Sequence, residues 1–218
     1  IMPPITHRLC RYLMRTFPPI RSGRRVGLLW KYLHPTPDDV VVQLDNEMLM
    51  KVHLDDIVGF TIWLKGWYQK ELVDAVRQYL REGMTFVDIG AHFGQFTLAA
   101  SSIVGSTGRV LAFEPASHQR KYLIHNVQLN NLTNIFVSAK AVWKRTGSVS
   151  FIEESPNQAV ISRISDEGQS KIDATTIDRI ASDQHIPQLD VIKIDAEGSE
   201  RAIFEGATHL LSTNPPRV

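Results

Sequence analysis

From Met84 onward, short apolar runs of strand length alternate with helical segments. In order they read "MTFVDIG", "GQFTLAASSIV", "RVLAFEP", "SHQRKYLIHNVQLNN" and "NIFVSAKAV", then "ATTIDRIASDQ", "LDVIKID" and "EGSERAIFEGATHLLSTN". A strand that is apolar at nearly every position is buried on both faces, and intervening helices return the chain so that such strands run parallel. The expectation is an α/β domain whose parallel sheet carries helices on both faces. "GSVSFI" reads as a short additional strand, and the polar stretch from Glu153 to about Ser170 as a mobile loop. Ser117 is placed to cap the second helix.

In open parallel sheets, ligands bind outside the carboxyl ends of the strands, where the strand order reverses. The strand ends here read Asp88-Ile89-Gly90, Glu114-Pro115, Lys140-Ala141-Val142 and Asp195-Ala196-Glu197-Gly198. Three of these four strand ends carry an acid just where the strand finishes, which argues for a site. In the loop Gly90-Ala91-His92-Phe93-Gly94 the two glycines lack side chains, so a ligand can approach the backbone. The following helix start offers N–H groups to an anionic group. Read blandly, this is a tight strand-to-helix turn. Glu114 is the sharper clue, because a carboxylate at the end of the second strand can accept hydrogen bonds from both hydroxyls of a ribose. Its bland reading is an acid stabilised at a helix N-terminus.

A dinucleotide fingerprint requires G-x-G-x-x-G. With Gly90 as the first glycine, the next required positions hold His92 and Gln95. The loop reads Asp-x-Gly-x-x-x-Gly instead, which disfavours NAD and suits S-adenosylmethionine, whose amino-acid end needs no pyrophosphate cradle.

The 218 residues suffice for one α/β domain plus an extension, and we divide the chain into residues 1–65, an N-terminal extension, and 66–218, the α/β domain. A composition of 43% hydrophobic and 22% charged residues with a net charge of +1 gives no sign of a nucleic-acid partner. Cys10 is the single cysteine, so no internal disulfide can form, which fits a cytoplasmic setting. No apolar stretch approaches the roughly 20 residues that span a bilayer, and no metal site is read. The chain begins at Ile1, without a secretory h-region. Every charged residue before Asp38 is basic, and in "ITHRLCRYLMRTF" Ile5, Leu9, Leu13 and Phe17 recur every four residues beside Arg8, Arg11 and Arg15. This predicts a basic amphipathic helix, read either as a peripheral contact with an anionic membrane or partner, or as a solvated cap. "VVVQLDNEMLMKVHL" predicts a hairpin around Asp45-Asn46, and "DDIVGFTIWLKGW" a short helix breaking at Gly66. "YQKELVDAVRQYLREG" predicts a helix with Leu72, Val73, Val76 and Leu80 on one face and Gly83 as its C-cap.

Taken together, "GWYQKELVDAVRQYLREGMTFVDIGAHFGQFTLAAS", "GRVLAFEP", "NVQLNNLTNI", "TTIDRI" and "LDVIKIDAEGSERAIFEGA" resemble the FkbM family of S-adenosylmethionine-dependent methyltransferases, from about Gly66 to the end. The "KIDAEGSE" block after "TTIDRI" is the more family-specific part. The resemblance implies a Rossmann-like methyltransferase fold and O-methylation of a hydroxyl on a sugar, polyketide or similar small-molecule or glycan acceptor. By position it implies that Asp88, Gly90 and Gly94, with Ala91 and His92 between them, line the methionine end of the donor. Glu114, followed by Pro115, would hold the ribose, and the Ala141-Val142 backbone would lie near adenine. Asp195 would sit beside the donor's amino group or the acceptor. "YQKE" departs from the expected Tyr-Glu-x-Glu at Gln69, leaving Glu71 as the candidate acceptor-binding acid. The family fold continues beyond the fifth strand that would begin at Arg217, so the chain reads as a fragment with one side of its fourth strand unpaired.

Methyl transfer needs alignment in a dry site and gains from a base within reach of the acceptor hydroxyl. Asp195 is the first candidate base, then His92, then Glu197, with donor binding as the competing role for Asp195. Lys193 and Glu200 are expected to form a structural ion pair, and His125 to lie on the surface. A non-catalytic nucleoside-binding module and, more remotely, an NAD-type oxidoreductase are the competing functions.

Overall fold

A computed structural model of the chain describes residues 39–153 and 162–218. The segment predicted as a basic N-terminal helix and residues 154–161 of the polar stretch lie outside the described residues. The chain divides into two compact units at Tyr68/Gln69.

In the first unit, β1 (Asp39–Gln43) and β2 (Leu49–His53) form the expected antiparallel hairpin, with Asp39 opposite His53 and Gln43 opposite Leu49. Val42, Met50 and Val52 point to its buried face. The helix α1 (Ile57–Lys65) starts where Asp56 accepts hydrogen bonds from the N–H groups of Val58 and Gly59 (2.8 and 2.9 Å). It stops at Gly66, whose φ of 93° is the left-handed geometry that glycine adopts without strain.

The second unit opens with α2 (Lys70–Tyr79). Val73, Val76 and Leu80 are buried, but Leu72 is 47% exposed, contrary to expectation. Val73 and Val76 mark the buried stripe of the helix, and Leu72, about 40° from Val76 but about 100° from Val73, lies at its edge. The helix also ends at Tyr79, with Leu80 as C-cap rather than Gly83, which turns the chain with φ of 81°.

The central sheet holds β3 (Thr85–Ile89), β4 (Arg109–Phe113), β5 (Ile135–Ser138) and β10 (Val191–Ile194) in the order β10-β3-β4-β5, all parallel. The crossovers use α3 (Gln95–Val104) and α4 (Ser117–Leu129). Before β10 comes α5 (Ile177–Asp183), and after it α6 (Glu200–Glu205) and α7 (Thr208–Thr213). On one face Val87, Ile89, Leu111 and Phe113 pack with Ile177, Ile180, Ile203 and Leu210 of the last three helices. On the other, Ala112 packs with Leu123 of α4. Every residue of β3 is buried, as a strand covered on both faces must be. The chain moves from β3 outward to β4 and β5 and returns on the opposite side as β10, so the order reverses between β3 and β10.

Four expectations are corrected here. "NIFVSAKAV" is not one strand. After β5 the chain turns at Lys140, whose N–H bonds to Ser138 Oγ (3.2 Å), and β6 (Ala141–Val142) joins a second sheet. That sheet also contains β7 (Gly147–Ile152), β8 (Arg163–Ile164) and β9 (Ser170–Thr175), in the order β6-β9-β7-β8. The stretch read as a loop therefore contains β8, and the strand ending at Thr175 was hidden in a polar sequence. The helix after it starts only at Ile177, because Thr176 caps it by accepting from Arg179 N–H (3.0 Å). Ser117 is the first residue of α4 rather than its cap, and the N-cap Ala116 contributes no side-chain bond.

The outer side of β10 is not left wholly unpaired. Arg217 N–H bonds to Asp190 O (2.8 Å) and Ile192 N–H to Val218 O (3.0 Å). Among the described residues, no helix is long and apolar enough to cross a membrane.

Beside the apolar contacts, one carboxylate ties α5 to α7. Asp178 accepts from His209 N–H (3.0 Å) and Leu210 N–H (2.8 Å), capping α7 from a neighbouring helix. Asp178→Ala is expected to cost about 1–2 kcal/mol in a denaturant titration, with the cooperative slope unchanged.

Candidate functional site

The site is built from the carboxyl ends of β3, β4 and β10. Asp88 lies on β3 opposite Lys193 of β10 and Ala112 of β4. It is fully buried, and its Oδ2 accepts from Thr97 Oγ1 of α3 at 2.7 Å. Its Oδ1 faces the Lys193 ammonium at 3.2 Å, a charge contact without hydrogen-bond alignment. Asp88 therefore ties β3 to α3 and to β10.

The loop after β3 folds over β4. Gly90 and Ala91 both donate to Phe113 O (3.0 and 3.1 Å), and His92 N–H donates to Glu114 Oε2 (2.7 Å). Asn126 of α4 donates to Phe93 O (2.9 Å), which pins the far side. Gly90 has φ of 75°, and a Cβ there would fall 1.9 Å from Asp195 O. This is why the first glycine is required: β10 passes directly against it, and Asp195 N–H bonds to Ile89 O (3.0 Å). At Gly94, φ is 93° and a Cβ would meet Leu123 Cδ1 at 2.5 Å, so the second glycine seats α3 against α4.

Glu114 is only 6% exposed. Oε2 receives His92 N–H, and Oε1 receives Ala116 N–H at 2.9 Å. Burial raises its pKa above the ordinary 4.5, against the opposing pull of His92, the two backbone N–H groups and Lys193. A carboxylate has roughly four lone-pair positions, so each oxygen keeps room for one further donor. That capacity fits the paired hydroxyls of a ribose. The carbonyls of Glu114 and Pro115 accept from Arg120 (2.8 and 2.6 Å), which fixes the turn into α4.

Asp195 is exposed, and its carboxylate makes no hydrogen bond or ion pair among the described residues. His92, with φ of 52°, is partly exposed and stacks on Phe93 with ring centroids 4.2 Å apart. The structure thus brings Asp88, Gly90, Ala91, His92, Gly94, Glu114 and the Asp195 backbone into one bonded assembly. Glu71, exposed in the first turn of α2, and Glu197, exposed with φ of 49°, have no hydrogen bond or ion pair to that assembly. Ala141 and Val142 are buried in β6 and pair with Ala174 and Thr175. His125 lies on the exposed side of α4, as expected.

The expected Lys193–Glu200 pair does not form. Lys193 turns toward Asp88, and Glu200 Oε1 accepts from Ala196 and Gly198 N–H groups (both 3.2 Å). Its own backbone N–H, and then those of Gly198 and Ala196, hold its carboxyl below the usual range. Sequence reasoning missed Lys193 as a partner of Asp88, together with Thr97 and Asn126. The signal for Lys193 was a cation inside an apolar strand, which needs a buried counter-charge. Among the described residues, no group of three or more His, Cys, Asp or Glu side chains could hold a metal ion.

A parallel sheet wrapped by helices, with a glycine loop at the strand-order reversal and an acid at the end of the next strand, defines a Rossmann-like domain. The chain belongs to the methyltransferase FkbM domain family, whose model matches residues 88–218. No curated protein sequence matches it. Among solved structures it is similar to a SAM-dependent methyltransferase from Aquifex aeolicus at 27% identity, covering 39% of this chain and 42% of that one, with a TM-score of 0.30. A SAM-dependent O-methyltransferase from Thermotoga maritima is 17% identical over 47% of this chain and 56% of that one, with a TM-score of 0.32. TYW2 of P. horikoshii, solved with MeSAdo, is 16% identical over 55% and 48%, with a TM-score of 0.40. The chain thus spans about half the length of these structures or less.

Gly90→Ala tests the close approach. The backbone strain alone is worth about 1–3 kcal/mol, and the overlap with Asp195 O adds to it. Thermal unfolding should show a larger loss than for Gly198→Ala, where φ is also positive but a Cβ meets nothing within 4 Å.

Proposed function

We propose that the chain binds S-adenosylmethionine at the glycine loop and transfers its methyl group to a hydroxyl oxygen of a sugar or secondary metabolite. The observation that carries this reading is Glu114: a buried carboxylate, held from the loop by His92 N–H, with one acceptor position left on each oxygen. Family membership supports methyl transfer as the reaction class.

When bound, S-adenosylmethionine supplies an activated methyl group on a sulfonium whose departing product is a neutral thioether. Glu114 accepts the two ribose hydroxyls and fixes the nucleoside. Gly90 and Gly94 let Asp195 and Leu123 close on the loop, and so shape the backbone against which the rest of the donor lies. Asp195, exposed at the end of β10, takes the proton from the acceptor hydroxyl at its carboxylate oxygen. His92 shapes the loop through its backbone bond to Glu114.

Calorimetry with S-adenosylhomocysteine tests donor binding. Each lost hydrogen bond to a charged acceptor is worth about 1.5–3 kcal/mol, so Glu114→Ala should weaken binding by at least about tenfold. Unchanged affinity would remove the ribose assignment. The pH dependence has a definite sign. Protonating Glu114 turns one acceptor oxygen into a donor, so affinity is full above the folded pKa and falls as pH drops through it. Because that pKa is raised, the fall begins at higher pH than a free glutamate at 4.5 would give.

Asp195→Asn separates catalysis from binding. A lost base lowers turnover by about 10²–10⁴ while leaving S-adenosylhomocysteine affinity nearly intact. An equal loss in both would make Asp195 a donor-binding residue. Release of S-adenosylhomocysteine from a pool of hydroxylated acceptors reads the turnover, and binding without release would identify a non-catalytic module.

A further inference from the structure

Lys193 has no part in the chemistry above, yet its ammonium is aimed at the loop. Its side chain is 10% exposed, and the Phe96 ring lies over the ammonium, 5.1 Å from Nζ to centroid. If the lysine served only to neutralise Asp88, its N–H bonds would be aimed at that carboxylate. They go elsewhere: Nζ donates to Gly90 O at 2.7 Å and to Ile89 O at 3.3 Å, while Asp88 Oδ1, at 3.2 Å, lacks hydrogen-bond alignment. Ile89 O also receives Asp195 N–H. The end of β10 therefore holds the last carbonyl of β3 and the first of the loop, with the Lys193 side chain and the Asp195 backbone.

We propose that Lys193 is a positioning residue of the donor site, fixing the Ile89 and Gly90 carbonyls and through them the glycine loop, beyond its charge balance with Asp88. Its consequence for the donor rests on the reading that this loop holds S-adenosylmethionine. The geometric part does not. Asp88 neutralises the ammonium and is itself held by Thr97, which leaves the N–H bonds of Lys193 to the carbonyls. Because Asp195 follows two residues later on the same strand end, the same contact sets the spacing between loop and proposed base.

The test compares the wild type with Asp88→Asn/Lys193→Met, in which both charges are removed together, using Asp88→Asn as the control. Hydrogen exchange of the Gly90, Ala91, His92 and Gly94 amides is followed without ligand. Loss of positioning should speed exchange there by about tenfold or more, with the α4 amides unchanged. S-adenosylhomocysteine affinity should fall by about tenfold in the double variant, although its melting temperature stays near that of the control. Loop exchange and affinity both within about twofold of the wild type would overturn the proposal and leave Lys193 as a counter-charge only. Faster exchange with unchanged affinity would overturn its role at the donor. If the wild type binds no S-adenosylhomocysteine, faster exchange still supports the positioning role, and the donor reading alone falls. Should the double variant not fold, Lys193→Arg decides. It keeps the charge but not the compact ammonium, and normal loop exchange in it would overturn the proposal.

Discussion

A fully buried carboxylate and a nearly buried ammonium stand at paired positions of two parallel strands, and much of the site depends on them. Taking each charge out of water costs several kcal/mol, and mutual attraction offsets this only when the remaining polar atoms also find partners. Asp88 has Thr97 from α3, and Lys193 has the carbonyls of Ile89 and Gly90 and the face of Phe96. Those partners belong to β3, the loop and the first helix crossing. The pair is satisfied only if strand, loop and helix take one arrangement, so it specifies local geometry as well as joining two strands.

The same crossing explains the first glycine. β10 runs so close to the loop that Asp195 O occupies the place a side chain at residue 90 would need. Glycine permits the contact, and the contact carries Asp195 to the mouth of the loop. The strand-order reversal between β3 and β10 is thus a physical junction, where the backbone of Asp195 meets that of Gly90.

Much of this was legible in the sequence. The strands 85–89, 109–113 and 191–194 are apolar enough to be recognised without partners, and the glycine loop and Glu114 stand at their ends. Of the second sheet, "GSVSFI" was legible as the strand β7, whereas β8 and β9 were not, because they are polar and gain their shape from pairing. Ser170–Thr175 reads "SKIDAT", and its regularity comes from the antiparallel register with β7 rather than from its own β-propensity. Lys193 was misassigned for a similar reason. Sequence proximity pointed to Glu200, whereas parallel register placed Asp88 beside it across a sequence gap that local reading does not span.

Glu114 shows how the fold and the proposed chemistry pull against each other. Burial favours the neutral acid and raises its pKa, while binding ribose hydroxyls requires the ionised acceptor. His92 and Ala116 N–H groups work against burial by donating to the two oxygens, one from the loop and one from the turn into α4. A more exposed glutamate would ionise more readily but would lose the desolvated setting in which hydrogen bonds to its oxygens are strong. A deeper one without those N–H donors would stay protonated and present a donor where an acceptor is needed. The arrangement observed lies between these limits. It also ties the carboxylate to the loop, so Glu114 and the loop backbone cannot shift independently.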